Sequence, residues 1–332
     1  MAAHGVCRRK AIRSDMKALA LNGYSNRPSL GRRFIKSMRR WWPLYLMMVP
    51  GILYFIIYKF VPMYGTIIAF KDFSVRKGIV NSPWADPWYK YFQEFFKSPS
   101  NTRVITNTLT ISFGKLLMGM FPSLIFALAV SECRSRGFAR VVQTVSYLPH
   151  FLSWVVVYGI CMAMLSESNG IINKFIQSFG LDPIPFLTSN QYFPSLLIWS
   201  DVWKGLGWGA IIYLAAIMGI DQTLYEAATV DGCGRFRQIW HITLPSIRKV
   251  FIVLMILKVG NILNAGFNQV YVMMTDEVKM SGEIIDTWIY SRGLGKLNYS
   301  LATAVGLLKS VLCFVMVFGT NKLARKWESA IW

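Results

Sequence analysis

"WWPLYLMMVPGILYFII" (residues 41–57) carries no charged side chain; the first cation after it is Lys59. An uninterrupted apolar run of about 18 residues is the length at which a helix becomes a candidate to cross hydrocarbon. Comparable blocks recur at roughly 104–130, 141–165, 194–219, 247–273 and 301–320, the first extending over 42–66. At about 1.5 Å of rise per residue, each is long enough for a hydrocarbon core of about 30 Å. Composition agrees: 54% of residues are hydrophobic, 16% are charged, and mean hydropathy is +0.39. A soluble domain averages about 25% charged residues. The expected fold is an all-α polytopic membrane protein with about six transmembrane helices. Lys59 is expected to snorkel, and Pro62 to kink the first span.

The formal net charge of +20 invites a nucleic-acid reading. Its distribution argues for topology instead, with no nucleic-acid partner. Segments 1–41, 132–140, 221–249 and 321–332 hold 21 of the 36 Lys and Arg, against 10 in 71–103, 167–193 and 276–300. Cations gather on the cytoplasmic side of membrane proteins. Both termini are therefore expected in the cytoplasm, with residues 1–41 as a basic cytoplasmic tail and 42–332 as the transmembrane domain. The tail reads as a headgroup-facing segment and not as a cleavable signal peptide, because too many polar residues precede the first apolar block. Cys7, Cys133, Cys161, Cys233 and Cys313 are scattered, with no CxxC pair and no zinc-like spacing, so neither disulfides nor a metal site are expected.

Between the fourth and fifth apolar blocks lies a long polar segment, 221–245, containing "EAATVDGCGRFRQIWHITLP" (226–245). Asp221 can cap a helix starting near Thr223, with Glu226 near its positive end. Gly232 and Gly234 can end that helix with φ > 0. A second short helix is expected over "RFRQIWHI", and Pro245 suits the first turn of the next span. The small side chains of Ala227 and Ala228 leave a shallow face for a partner's backbone. On the opposite side of the membrane, "PWADPWYKYFQEFF" (83–96) reads as an interfacial helix, and 167–193 as a short amphipathic helix followed by a Pro-rich turn.

The 226–245 segment resembles the EAA motif of ABC-importer permease subunits. Glu226, Ala227, Ala228, Asp231, Gly232, Leu244 and Pro245 match it in order and spacing, while Cys233 stands where that motif usually has Ala. "NTLTISFGKLLMGMFPSLIFALAVSE" (107–132), "YLPHFLSWVVV" (147–157) and "WKGLGWGAIIYLAAIMGID" (203–221) resemble the carbohydrate-uptake branch, especially oligosaccharide permeases. The resemblance covers about 42–332. It implies a type I importer permease in the cell membrane, with 221–245 as the segment coupling to the ATPase. It also implies four partners: a second, usually different, permease; an ABC ATPase dimer; an extracytoplasmic solute-binding protein; and a sugar as substrate.

Polar residues inside spans are costly and are candidates for the solute path. Asn261, Asn264 and Asn268 fall within roughly 60° of one another at about 100° per residue. Asparagine is also interhelical glue, so the two readings stand side by side. Trp203, Tyr147 and Trp154 are further path candidates. Asp201 and Lys204, at i and i+3, are expected to pair. Gly205 and Gly209 form a GxxxG that favours a close helix contact. His150, after Pro149, reads as satisfying broken backbone. GxxxxGK[ST], HExxH, GxSxG and the dinucleotide fingerprint are all absent. The chain is thus expected to have no catalytic residues and no cofactor, with ATP hydrolysed on a separate chain. Two alternatives remain. One is an ABC permease for a non-sugar solute. The other is a secondary transporter, disfavoured because Asp201 is the one carboxylate deep in a span and no pair of broken helices shows in matching halves.

Overall fold

The computed structural model describes residues 40–325; the tail at 1–39 lies outside it, as does Cys7. The described chain is nearly all helical, with one isolated bridge between Lys71 and Trp84 and no named strand. It divides into two compact units, one ending at Gly65 and one starting at Thr66.

The first unit holds α1 (Trp42–Phe55), opened by Pro43 in its first turn. A wider five-residue turn, Ile56–Phe60, follows directly before Pro62. Proline has no N–H for the carbonyl four residues back, and its ring crowds that carbonyl, so the helix widens there. The helical stretch Trp42–Phe70 is long and apolar enough to cross a membrane.

The second unit begins with a compact loop region and α2 (Lys90–Lys97). The helix starts later than the expected 83–96 segment, and one of its faces packs inward. Phe95 is buried edge-on against Trp288 at 5.1 Å, while Trp84 and Trp88 stay exposed. Then come α3 (Pro99–Ser131), α4 (Arg136–Tyr147), α5 (Trp154–Leu165), α6 (Ile171–Ser178), α7 (Phe193–Met218), α8 (Gln222–Val230), α9 (Arg235–Gly260), α10 (Phe267–Met273), α11 (Ile285–Tyr290) and α12 (Tyr299–Arg325). In this unit α3 and α12 are long and apolar enough to span, which with Trp42–Phe70 makes three among the described residues. The count reaches six only if three bent pairs each serve as one span: α4 with α5 at 107°, α7 with α8 at 69°, and α9 with α10 at 47°.

Two of these bends correct the expectation of continuous spans and of no broken helices. At 148–153 the chain leaves α4 through a tight turn containing Pro149, and Ser153 caps α5 by accepting from the Val156 amide at 3.3 Å. At 261–266 it leaves α9 through Asn261 and passes Ala265 and Gly266 in left-handed conformation, with φ of 42° and 83°. Apolar periodicity runs straight through both breaks, so it gives no warning of them. A third correction concerns "RFRQIWHI". It forms no separate helix but is the start of α9, widened at Ile239–Thr243 just ahead of Pro245, as at Pro62.

The core gathers where α3, α5, α7 and α10 meet, around Ile111, Phe193, Leu197, Val270 and Met273. The expected GxxxG is only half right. A Cβ on Gly205 would meet open space, whereas one on Gly209 would fall 2.7 Å from Ser123 Oγ and one on Gly207 2.3 Å from the Ser146 carbonyl oxygen. Gly207 and Gly209 are thus the positions where α7 admits its neighbours. Cys133, Cys161, Cys233 and Cys313 are free thiols. The amphipathic helix expected within 167–193 is α6, anchored by buried Asn173, whose amide bonds Leu165 O and Ile184 O at 3.0 Å.

Candidate functional site

Two polar regions stand out from the apolar bundle. The first is α8 and its turn. The Asp221 carboxylate accepts from the Thr223 amide at 3.0 Å, as its position predicts, and this bond holds its pKa below the ordinary carboxylate value. At the far end, Gly232 has φ +75°. The Gly232 amide donates to Thr229 O at 3.1 Å and the Cys233 amide to Ala228 O at 2.8 Å. This is the paired pattern of a helix closed by a left-handed glycine. Gly234, by contrast, has φ −69° and opens α9.

Side chains then tie α8 to α9. Tyr225 Oη and Thr243 Oγ1 share a hydrogen bond at 2.9 Å. Gln238 Nε2 donates to Thr229 Oγ1 at 3.0 Å and Cys233 O at 3.1 Å. Arg235 reaches Glu132 at the end of α3, at 3.9 Å. The outer surface of α8 is left open. Glu226, Ala227, Asp231 and Gly232 are exposed, and Ala228 is half-buried. Leu224, Val230 and Phe236 are exposed although apolar, Val230 at 88%. Leu244 is tucked against the α3–α7 core, and Pro245 faces outward behind the widened turn. The seven motif residues therefore split: five present or flank the open face, and Leu244 and Pro245 shape the helix behind it.

The second region is the break between α9 and α10. Lys115, largely buried on α3, donates to Ala265 O at 2.7 Å and to Gln269 Oε1. Its Nζ lies 4.0 Å from Asp201 Oδ1. Gln269, fully buried, passes the connection on by donating to Leu197 O and Ser200 Oγ, both at 2.8 Å. The expected Asp201–Lys204 pair does not form. One turn of α7 separates the two, and Lys204 instead donates to Pro149 O at 3.3 Å and to His150 O, with Trp154 5.5 Å beneath it. It thereby satisfies the carbonyls that the α4–α5 break frees. His150 stacks on Trp208 at 4.4 Å, and no metal cluster occurs among the described residues.

A cavity of about 210 Å³ opens at this break, walled by Lys115, Asp201, Lys258, Asn261 and Asn264 among others. Asn261 and Asn264 are brought together there, joined by a bond at 3.1 Å. Asn268 is exposed on α10, past the break, so the three asparagines do not share one helix face. Trp203 is exposed on α7, and neither it, Tyr147 nor Trp154 lines this cavity. Sequence reasoning missed Lys115, Lys258 and Gln269. The available signal was a charge or amide set inside an apolar block, which spacing alone does not rank.

Comparison with known proteins extends these findings. The family described as binding-protein-dependent transport system inner membrane component matches residues 103–329. Protein LplB of Bacillus subtilis (strain 168) is 43% identical over 285 residues, covering 86% of this chain and 89% of that one. The polygalacturonan/rhamnogalacturonan transport system permease protein YteP of the same organism is 42% identical over 285 residues, covering 86% and 88%. Among solved structures, a chain of a bacterial ABC transporter involved in the import of the acidic polysaccharide alginate superposes with a TM-score of 0.82. It is 38% identical, and the match spans 89% of this chain and 99% of that one.

Proposed function

The chain belongs to the family of binding-protein-dependent transport system inner membrane components, and from that premise we propose how it works as a permease subunit of an ATP-driven importer of oligosaccharides. It sits in the cell membrane as a multi-pass protein. The sugar reading is supported by relatives sharing 42–43% identity over 86% of the chain, one of them named for the transport of polygalacturonan and rhamnogalacturonan.

The observation that carries the mechanism is the build of α8. It is a short helix fixed at both ends, with an open outer face and side-chain bonds to α9. Such a piece moves as a unit with the two long helices it joins. A partner that grips its open face and changes shape with ATP displaces α7 and α9 together. In this reading Glu226, Ala227, Ala228, Asp231 and Gly232 seat on an ABC ATPase, which hydrolyses ATP on its own chain, while Leu244 and Pro245 hold the lever behind it. A second, homologous permease completes the path, a solute-binding protein delivers the sugar from outside, and both chain termini face the cytoplasm.

The test is purification from the native membrane together with an uptake assay. An ABC ATPase should co-purify with the chain and be lost when Glu226 is changed to Arg, with oligosaccharide uptake lost in parallel. Full uptake in a chain whose α8 cannot retain an ATPase would overturn the reading.

A further inference from the structure

The lysines inside the apolar blocks of the second unit differ in what answers their charge. Lys309 is paired with Asp286, both largely buried. Lys115 has Asp201 and two oxygen acceptors. Lys204 is held by two backbone carbonyls and an aromatic face. Lys258, one turn before the break on α9, is exposed and forms no hydrogen bond or ion pair with any described residue, and it borders the cavity at 261–266.

The nearby charges do not balance. Lys115, Lys204 and Lys258 all lie within electrostatic reach of a single carboxylate, Asp201, and Asp201 is in contact range of Lys115 alone. An uncompensated cation at membrane depth is expensive, and it persists where a water-filled path or an arriving anion answers it. Asn261 and Asn264, at the same cavity, add amide groups suited to hydroxyls. The site thus offers one free positive charge beside neutral hydrogen-bonding groups. A neutral sugar leaves that charge unanswered, and a cationic solute is repelled by it.

We propose that Lys258 is the counter-charge for carboxylates on the transported solute, so that the path through this chain selects acidic oligosaccharides. This rests on the sugar-permease reading above and adds to it a charge class and a selecting residue. Lys115 is not that residue, because its ammonium is already spent on Asp201, Ala265 O and Gln269.

The experiment uses the intact importer, reconstituted with its partner subunits in liposomes. It is offered uronate trisaccharides, the same trisaccharides with their carboxyls methyl-esterified, and a disaccharide phosphate. The wild type should prefer the free uronates. Lys258→Gln should lower the ratio of free to esterified uptake by about tenfold, the scale of losing one charge contact, and Lys258→Arg should retain most of it. An equal loss of both uptakes in Lys258→Gln marks a structural lysine and overturns the assignment, as does an unchanged ratio. Preference for the phosphate over the uronates overturns the carboxylate class. Transport of none of the sugars by the wild type sinks the sugar reading itself, and this inference with it.

Discussion

The α8 turn and the Lys115 cluster are both polar islands in an apolar chain, and they are held in opposite ways. Around α8 most bonds are short in sequence: Asp221 to Thr223, Cys233 to Ala228, Gln238 to Thr229, with Tyr225 to Thr243 spanning 18 positions and the exposed Arg235–Glu132 pair the one long reach. Around Lys115 they join residues 69 to 154 positions apart. The first island keeps its shape by local geometry and leaves its outer face free for a partner. The second exists only because α3, α7 and the α9–α10 break have already come together. The lever can therefore be stiff while its surroundings move, whereas the cluster is a lock that ties three elements to one another.

The contrast is sharpest if each island is cut at its most connected atom. Lys115→Met leaves Asp201 without its contact ion and Ala265 O and Gln269 Oε1 without their donor. Leaving a buried acceptor without its donor costs about 1–3 kcal/mol, and two are stranded here, so the folded protein in detergent should melt markedly earlier by fluorescence-monitored thermal unfolding. An unchanged melt would mean that the cluster does not lock the bundle. Gln269→Leu strands Ser200 Oγ less severely and removes one bond to Leu197 O. A loss of about 1–3 kcal/mol is expected in the same measurement.

Cuts in the local island should do less to the fold and more to the coupling. A Cβ at Gly232 meets nothing within 4 Å, so Gly232→Val acts through φ +75° alone. Left-handed backbone costs a residue with a side chain about 1–2 kcal/mol. Membrane insertion should be near normal while uptake falls; normal uptake would break the lever picture. The smallest effect is expected at Asp221→Ala, which frays the first turn of α8 and speeds amide exchange at Thr223 in hydrogen–deuterium measurements.

The same cap has a pH signature. The folded Asp221 pKa lies below its ordinary value of 3.8 because the ionised carboxylate accepts the Thr223 amide. Its contribution is present above the unfolded pKa and is lost as pH falls through the folded one. Thr223 protection should therefore be flat near neutrality and decline only in acid below that ordinary value. A decline near pH 6 would point to a different group.

The Asp221 cap, the left-handed Gly232 and the apolar blocks were legible because each depends on residues adjacent in sequence or on the period of a helix. Pro149 signalled a disturbance, but a proline inside an apolar run fits either a kink or a 107° bend. In 247–273 the break at Ala265, a residue that ordinarily favours helix, was signalled only by Asn261, Asn264 and Gly266 within an apolar run, and such residues also occur inside unbroken spans. The misread Asp201–Lys204 pair shows the same limit. Spacing of i, i+3 makes two charges neighbours on an isolated helix, but Lys115 and the freed carbonyls of Pro149 and His150 competed from other elements and won.

By itself the sequence determined that the chain is helical and membrane-embedded, and that a capped polar helix stands between its fourth and fifth apolar blocks. Hydrophobic period, helix capping and glycine's access to positive φ are all properties of neighbouring residues. Only the tertiary structure decided which lysines are neutralised, where two apolar helices break, and that Lys258 alone among those four lysines faces a cavity without a partner. Charge compensation inside the bundle is settled by which distant side chains arrive within a few ångströms, and that is fixed only when the helices have packed.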